Sequence, residues 1–133
     1  MAPLRWYSVV VEAQDHRALA AWWAEALGWD TAVATDDEVV LIPPWAEQLG
    51  PTLEFVQVPP GLVFVPVEHA KSGKNRLHLD LAPHTSQERE AEIARLVALG
   101  ARRIDVGQGD DATWEVLADP DGNEFCVLSS RDR

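Results

Sequence analysis

Cysteine, basic residues and long apolar runs are all scarce in this sequence. Its single cysteine, Cys126, excludes an intrachain disulfide and is typical of a protein kept in a reducing compartment. With 11 Lys and Arg against 22 Asp and Glu, the formal charge of −11 argues against nucleic acids and anionic membranes as partners, because both attract clustered positive charge. No apolar run reaches the ~18 residues of a membrane span, and the first residues lack the apolar segment of a secretion signal. We therefore expect a cytoplasmic protein.

The motifs of nucleophilic catalysis and of phosphate binding are also missing. No Gly-x-Ser-x-Gly motif occurs, and Cys126 lies in a strand-like run without a base close to it in the sequence. No glycine-rich loop precedes a predicted helix, as a phosphate-binding loop would. These absences argue against a serine hydrolase and against a nucleotide-binding protein.

The most distinctive stretch that is present is Asp119-Pro120-Asp121-Gly122-Asn123, which lies between two apolar runs. Proline fixes φ for a turn, glycine supplies a positive φ, and Asp and Asn side chains bond the backbone next to them. The flanking runs, Trp114–Ala118 and 125–129, have strand composition. The stretch therefore predicts a hairpin close to the end of the chain.

The same order of elements is predicted twice. In the first half we predict a strand at 5–12, a helix capped by Asp15 and ended by Gly28, and strands at 29–34, 38–42 and 52–58. In the second half we predict a strand at 76–81, a helix ended by Gly100, and strands at 102–106, 114–118 and 125–129. Between them, residues 63–65 are predicted to add a short edge strand. Each half is β-α-β-β-β and cannot bury both its helix and its sheet alone, so two halves must associate.

Four stretches carry a resemblance to a known superfamily. They are Ala21-Trp22-Trp23 with Leu27-Gly28-Trp29, then Lys74-Asn75-Arg76-Leu77-His78-Leu79-Asp80-Leu81, Leu99-Gly100-Ala101, and Asp119-Pro120-Asp121-Gly122-Asn123-Glu124-Phe125-Cys126. On these the chain resembles the vicinal oxygen chelate superfamily of glyoxalases, dioxygenases and bleomycin resistance proteins, and looks most like its glyoxalase-like domain proteins.

The resemblance implies an α+β fold in which two tandem βαβββ modules form a cupped, eight-stranded mixed sheet around a cavity. We expect a single domain over residues 1–133, with one module at 1–61, a bridge at 62–74 and a second module at 75–133. The resemblance also implies a small-molecule ligand in the cavity and a homodimer.

Strand 76–81 is the segment richest in candidate chemistry. Alternate side chains face opposite sides of a strand, so the leucines, Leu77 among them, are expected to pack on the helices, while Arg76, His78 and Asp80 face the cavity. His78 and Asp80 are then expected roughly 6–7 Å apart. We interpret His78 as the proton carrier and Asp80 as its partner, since histidine titrates nearest neutral pH. The alternative is a structural cluster in which Asp80 pairs with Arg76.

The resemblance further implies metal-ligand positions on the first and last strands of each half, which correspond to Ser8, Glu54, His78 and Cys126. Serine is a poor ligand, and Cys126 stands where a carboxylate is typical of the metal enzymes. Because a catalytic metal usually has three protein ligands and an open position, we favour a cavity without metal. The alternative is Zn, Ni, Fe or Mn held by Glu54, His78 and Cys126.

The substrate-binding candidates are the side chains expected to face the cavity, because ligand cavities are largely apolar with a few polar groups. They are Trp6, Ser8, Glu54, Arg76, Trp114 and Cys126. Three functions follow as alternatives. The first is binding, and conversion without metal, of a small organic molecule. The second is a metal-dependent lyase, isomerase or dioxygenase, and the third is a non-catalytic protein that sequesters a drug.

Overall fold

The computed structural model describes residues 4–105 and 113–133, and the chain divides into two compact units between residues 70 and 71. We call them the N-terminal unit and the C-terminal unit. Each has the predicted β-α-β-β-β order and a four-stranded mixed sheet, which confirms the α+β class and the duplicated module. The single domain with its bridge at 62–74 stays a prediction.

The N-terminal unit begins with a strand and a well-capped helix. Its elements are β1 (Ser8–Ala13), α1 (His16–Leu27), β2 (Asp30–Ala34), β3 (Val39–Ile42), α2 (Ala46–Leu49) and β4 (Gly61–Pro66). The Asp15 side chain accepts a hydrogen bond from the N–H of Ala18, and Gly28 ends α1 with a φ of 66°, both as predicted. The sheet order is β1-β4-β3-β2, with β1 parallel to β4.

One face of this sheet is covered by α1 and the other is open. Helix α1 packs on β3 and β4, where alternate residues such as Leu41 and Phe64 are fully buried. The intervening residues of the same strands, Val40 and Val63 among them, face the other side and are partly exposed. These positions on the open face of the N-terminal unit are aliphatic, and Ser8 and Glu12 of β1 add polar groups to the same face.

The strand predicted at 52–58 is wrong. Residues Gly50–Thr52 and Phe55–Gln57 form short 3₁₀ turns, and the Gln57 side chain accepts a hydrogen bond from the N–H of Glu54 at 2.9 Å. A reciprocal capping box of this kind stabilises a helical turn, and the prolines around it prevent a continuous strand. The fourth strand is β4 instead. The strand predicted at 63–65 is therefore present, but it lies between β1 and β3 rather than at an edge.

The C-terminal unit repeats the same order and topology. Its elements are β5 (Asp80–Leu81), α3 (Arg89–Leu99), β6 (Arg102–Arg103), β7 (Trp114–Ala118) and β8 (Glu124–Leu128). The sheet order is β5-β8-β7-β6, and β5 is parallel to β8. Helix α3 buries Ile93 and Leu96 and packs against β8. The end of the strand predicted at 102–106, Val106, lies outside the described residues.

The strand predicted at 76–81 is observed only at Asp80–Leu81. The preceding residues have no regular structure, so the alternation on which the prediction depended does not apply to them. Leu77, expected in the core, is 89% exposed, which corrects that prediction.

The predicted hairpin at residues 119–123 is confirmed, and a buried carboxylate organises it. Asp119 is completely buried, and its Oδ1 accepts hydrogen bonds from the N–H groups of Asp121 and Asn123 at 3.0 and 2.9 Å. Its Oδ2 accepts from the Asn123 side chain at 3.0 Å, and Gly122 adopts a φ of 91°. The turn joins β7 to β8 with its inward-facing N–H groups satisfied.

None of the helices in residues 4–105 and 113–133 combines the length and the apolar composition that a membrane-spanning helix requires.

Candidate functional site

A cavity of about 500 Å³ opens on the sheet of the C-terminal unit. One part of its wall is apolar and includes Trp114, Val116 and Leu128. The polar part is formed by residues before and within β5, by the first residue of β8 and by the cysteine of β8. These are Lys74, Asn75, His78, Asp80, Glu124 and Cys126. A largely apolar cavity with a few convergent polar groups is the usual form of a small-molecule site.

Strand register brings the central residues of the cavity together. Asp80 on β5 pairs with Cys126 on β8, and Cys126 pairs with Val116 on β7. The three side chains therefore form one row across adjacent strands. The N–H of Cys126 also donates to the carbonyl of Leu79 at 3.0 Å, which fixes the chain just before β5 against β8.

His78 and Asp80 lie in direct contact. Nε2 of His78 is 3.1 Å from Oδ1 of Asp80, and both side chains are 50% exposed. The separation of 6–7 Å expected for a regular strand is wrong, because His78 precedes β5 and its irregular backbone turns the ring towards the carboxylate. The contact favours the proton on Nε2, so Nδ1 becomes the basic nitrogen of the neutral ring. A histidine oriented by a carboxylate in this way is suited to proton transfer.

The thiol of Cys126 is held in its protonated form. Burial raises the pKa of Cys126 above its ordinary value of 9.0, the charge of Asp80 and hydrogen bonding to it raise the pKa further, and the charge of Lys74 opposes them. At neutral pH Cys126 is consequently a thiol rather than a thiolate, and it is poorly suited to act as a nucleophile.

Glu124 joins the segment before β5 to the start of β8. Its Oε1 lies 3.1 Å from the Lys71 ammonium, and its Oε2 accepts from the N–H of Asn75 at 2.9 Å. Burial alone would raise the pKa of Glu124, but the backbone N–H groups of Asn75 and of Glu124 itself, with the Lys71 charge, hold that pKa below its ordinary 4.5. Glu124 is therefore an anchored anion in the cavity wall.

Four of the site residues expected from the sequence line this cavity: His78, Asp80, Trp114 and Cys126. Arg76 is exposed and is not part of the lining. The structural alternative paired Asp80 with Arg76, whereas the structure has Asp80 in contact with His78. Whether this pair is structural or functional stays a prediction.

The other three candidates belong to the N-terminal unit. Trp6 is exposed just before β1, and Ser8 is the first residue of β1. Glu54 is exposed and caps the 3₁₀ turn at Phe55–Gln57, so it does not occupy the last strand of its unit as expected. Whether these residues bind substrate stays a prediction.

Sequence reasoning missed several lining residues. Glu124 and Leu128 share strand parity with Cys126, and Val116 shares it with Trp114, so alternation along β7 and β8 would have found them. Lys74 and Asn75 lie in an irregular segment, where no periodicity reveals the direction of a side chain.

Among the residues of this unit that the structure describes, those that would hold a metal ion are His78, Asp80 and Cys126. One ligand atom from each lies within 4.8 Å of the other two. A nitrogen, an oxygen and a sulfur donor suit zinc, whereas manganese prefers oxygen ligands. Zinc would have to displace the thiol proton of Cys126. The donor set therefore fits zinc better than manganese.

Comparison with models of protein families shows to which family the chain belongs. The glyoxalase-like domain family matches residues 8–128, nearly the whole length of the chain. The chain belongs to the glyoxalase-like domain family. This confirms the resemblance inferred from the sequence, and the turn at residues 119–123 lies within the matched range.

Solved structures show that this glyoxalase-like protein shares its fold with proteins of several activities. A glyoxalase/bleomycin resistance protein/dioxygenase family enzyme from Burkholderia phytofirmans PsJN is 16% identical, with a TM-score of 0.69 over 96% of this chain and 100% of that one. A fosfomycin resistance protein from Listeria monocytogenes, complexed with Mn(II) and sulfate, is 10% identical, with a TM-score of 0.69 over 98% and 93% of the two chains.

A glyoxalase/bleomycin resistance protein from Albidiferax ferrireducens T118 is 20% identical, with a TM-score of 0.60 over 94% and 98% of the two chains. Identities this low establish the fold and leave the activity open. No curated protein sequence matches the chain.

Proposed function

We propose that this glyoxalase-like protein binds a small organic molecule in the cavity of its C-terminal unit and that His78 transfers a proton to or from it without a bound metal. The observation that carries the proposal is the 3.1 Å contact between His78 and Asp80 at the wall of a 500 Å³ cavity. Asp80 fixes the orientation of the ring, so that Nδ1 is the nitrogen that would accept the proton.

The reaction class that fits is a proton transfer at an acidic C–H or O–H group. His78 would take the proton, the electron pair would stay on the organic molecule, and His78 would return the proton to the same or an adjacent atom. The apolar wall around Trp114 would exclude water from the molecule. The protonated thiol of Cys126 argues against covalent catalysis through sulfur.

The test uses ¹H NMR in D₂O with a panel of small carbonyl compounds and organic acids. We expect the parent protein to accelerate exchange of C–H for C–D in at least one compound. The His78→Ala variant should lose about 10²-fold or more of that rate. His69→Ala, which removes an exposed histidine of the N-terminal unit, is the matched control and should retain the full rate.

Binding without exchange would support the sequestering function instead. If the His78→Ala variant exchanges C–H for C–D as fast as the parent protein and binds the compound as tightly, the proposal is contradicted. Because both side chains of the pair are half exposed, neither His78→Ala nor Asp80→Asn should lower the free energy of unfolding by more than about 1 kcal/mol. Loss of function can therefore be separated from loss of fold.

A zinc-dependent activity is the second candidate, and the observation in its favour is the clustering of His78, Asp80 and Cys126. Bound zinc would supply a Lewis acid for a carbonyl oxygen. Under the leading proposal, protein purified without chelator carries far less than one equivalent of zinc, nickel, iron or manganese.

Stoichiometric zinc would overturn the metal-free mechanism, and two variants would then identify the ligands. Zinc lost in Asp80→Asn but kept in Glu54→Gln would locate the ion wholly within the C-terminal unit. The reverse result would support the ligand set of Glu54, His78 and Cys126 implied by the family.

We also propose that the protein is a homodimer. Apolar side chains are exposed just before β1 and in the 3₁₀ turns of the N-terminal unit, including Leu4, Trp6, Tyr7 and Phe55. The Arg5 guanidinium lies 4.6 Å from the Tyr7 ring and 5.4 Å from the Phe55 ring, so these two rings belong to one patch. Patches of this kind are typical of protein interfaces. Sedimentation equilibrium at micromolar concentration should give the mass of two chains, and a mass of one chain would contradict the proposal.

A further inference from the structure

Two lysines precede β5, and in the part of the chain that the structure describes only Lys71 has a partner. The Lys71 ammonium lies 3.1 Å from Oε1 of Glu124, is largely buried, and also donates to the carbonyl of Gly73. Lys74 lines the cavity, and within residues 4–105 and 113–133 it makes no hydrogen bond or ion pair. The first lysine is structural, whereas the charge of the second is available to a ligand.

Both carboxylates among the described lining residues already have partners. Glu124 is held by Lys71 and by the N–H of Asn75, and Asp80 is in contact with His78. Lys74 lies close enough to this cluster for its charge to act on the Cys126 thiol. Among the described residues that line the cavity, Lys74 is therefore the charged side chain left without a partner.

An aromatic surface belongs to the same cavity. Trp114 is 38% exposed, and Val116 and Leu128 continue the apolar wall. An exposed indole offers a flat face to an unsaturated ligand. A cation together with an aromatic wall suits a molecule that is planar and carries a negative oxygen.

We propose that the cavity selects small planar organic anions, with a carboxylate or enolate oxygen at the Lys74 ammonium and the unsaturated part against Trp114. This inference rests on the proposed function of the cavity as a small-molecule site. Lys74 would also stabilise the negative charge left on the molecule when His78 removes a proton. Because Lys74 is exposed to solvent, its contribution to affinity is modest, about fivefold at low ionic strength.

The experiment compares benzoate with benzamide, which has nearly the same shape and no charge. Binding is followed by the ¹H–¹⁵N indole resonance of Trp114, assigned with Trp114→Phe. The parent protein should bind benzoate about fivefold more tightly than benzamide, and added salt should reduce the difference. Lys74→Gln should abolish the preference and leave benzamide affinity unchanged.

The matched control is Arg95→Gln, which removes one positive charge from helix α3 outside the cavity and should keep the preference. If benzamide binds as tightly as benzoate, or if Lys74→Gln keeps the preference, the anion inference is overturned while the cavity remains a ligand site. If neither compound shifts the Trp114 resonance up to about 10 mM, the anion inference is overturned, whereas the proposed function stands or falls with the C–H exchange experiment.

Discussion

The open sheet faces of the two units differ in chemistry although their strand orders are the same. In the N-terminal unit, register places Val10, Val63 and Val40 in a row across β1, β4 and β3. In the C-terminal unit, the row across β5, β8 and β7 consists of Asp80, Cys126 and Val116. The duplicated module thus supplies the same scaffold twice, and titratable groups occupy this row in one copy.

The connection before the last strand differs as well. Residues 119–123 join β7 to β8 through a tight turn, whereas residues 43–60 join β3 to β4 through α2 and two 3₁₀ turns. The tight turn fixes the start of β8, where Glu124 and Cys126 enter the cavity wall. The long connection instead carries exposed apolar side chains, including Trp45 and Phe55. The positions of Glu124 and Cys126 in the cavity wall therefore depend on this turn.

The largest effect is expected from Asp119→Ala, which breaks that turn. The substitution leaves the partly buried N–H groups of Asp121 and Asn123 without an acceptor and should lower the free energy of unfolding by roughly 3 kcal/mol. Asp119→Asn keeps one acceptor oxygen and should cost about half as much. Urea unfolding followed by tryptophan fluorescence measures both values.

The control for this substitution is Asp36→Ala in the turn between β2 and β3. Asp36 is exposed, and within the described residues its side chain makes a surface ion pair with Arg17 and no other polar contact, so its loss should change stability by less than about 0.5 kcal/mol. If the Asp36 and Asp119 substitutions lowered the free energy of unfolding equally, the hydrogen bonds of Asp119 would not stabilise the fold more than a surface ion pair does.

The scaffold was largely predictable from the sequence, since its causes are local. Asp15, Gly28 and the stretch 119–123 act on the backbone beside them, and each was predicted and confirmed. The prediction of a strand at 52–58 was wrong because the capping box of Glu54 and Gln57 stabilises a helical turn in spite of the strand-like composition of the segment.

The candidate site was predictable in part. His78, Asp80 and Cys126 followed from the sequence, but the contact between His78 and Asp80 did not, because strand geometry does not extend to residue 78. Lys74 was missed for a related reason. Lys74 lies in the irregular segment before β5, and this segment is joined to β8 by the hydrogen bond from Asn75 to Glu124, 49 residues away in the sequence.

An intermediate effect, with a defined dependence on pH, is expected from Glu124→Gln. The pKa of Glu124 is lowered in the folded protein, so its ionised form contributes stability above the ordinary value of 4.5. That contribution is lost as the pH falls through the lowered pKa. The parent should exceed the variant by about 1–2 kcal/mol at pH 7, and the gap should close below pH 4.5.

Urea midpoints measured between pH 3 and pH 7 test this expectation, with Glu12→Gln on β1 as the comparison from the N-terminal unit. Glu12 is exposed, and its substitution should show no such dependence. A stability gap for Glu124→Gln that stays constant across this range would mean that the ion pair and the hydrogen bond of Glu124 do not stabilise its ionised form.

The smallest effect is expected on the reactivity of Cys126. This residue lies in the row of the C-terminal unit at the position that Val63 occupies in the N-terminal unit. Burial and Asp80 raise the pKa of Cys126 above 9.0, so iodoacetamide at pH 8.5 should label the native protein more slowly than the urea-unfolded chain. Asp80→Asn removes the charge that opposes thiolate formation and should speed native labelling about two- to tenfold.

Glu90→Gln, which removes an exposed carboxylate from helix α3, is the control and should leave the rate unchanged. Faster labelling in both variants would point to general opening of the unit. An unchanged rate in Asp80→Asn would mean that burial alone protects the thiol, and that Asp80 and Cys126 are neighbours without electrostatic coupling.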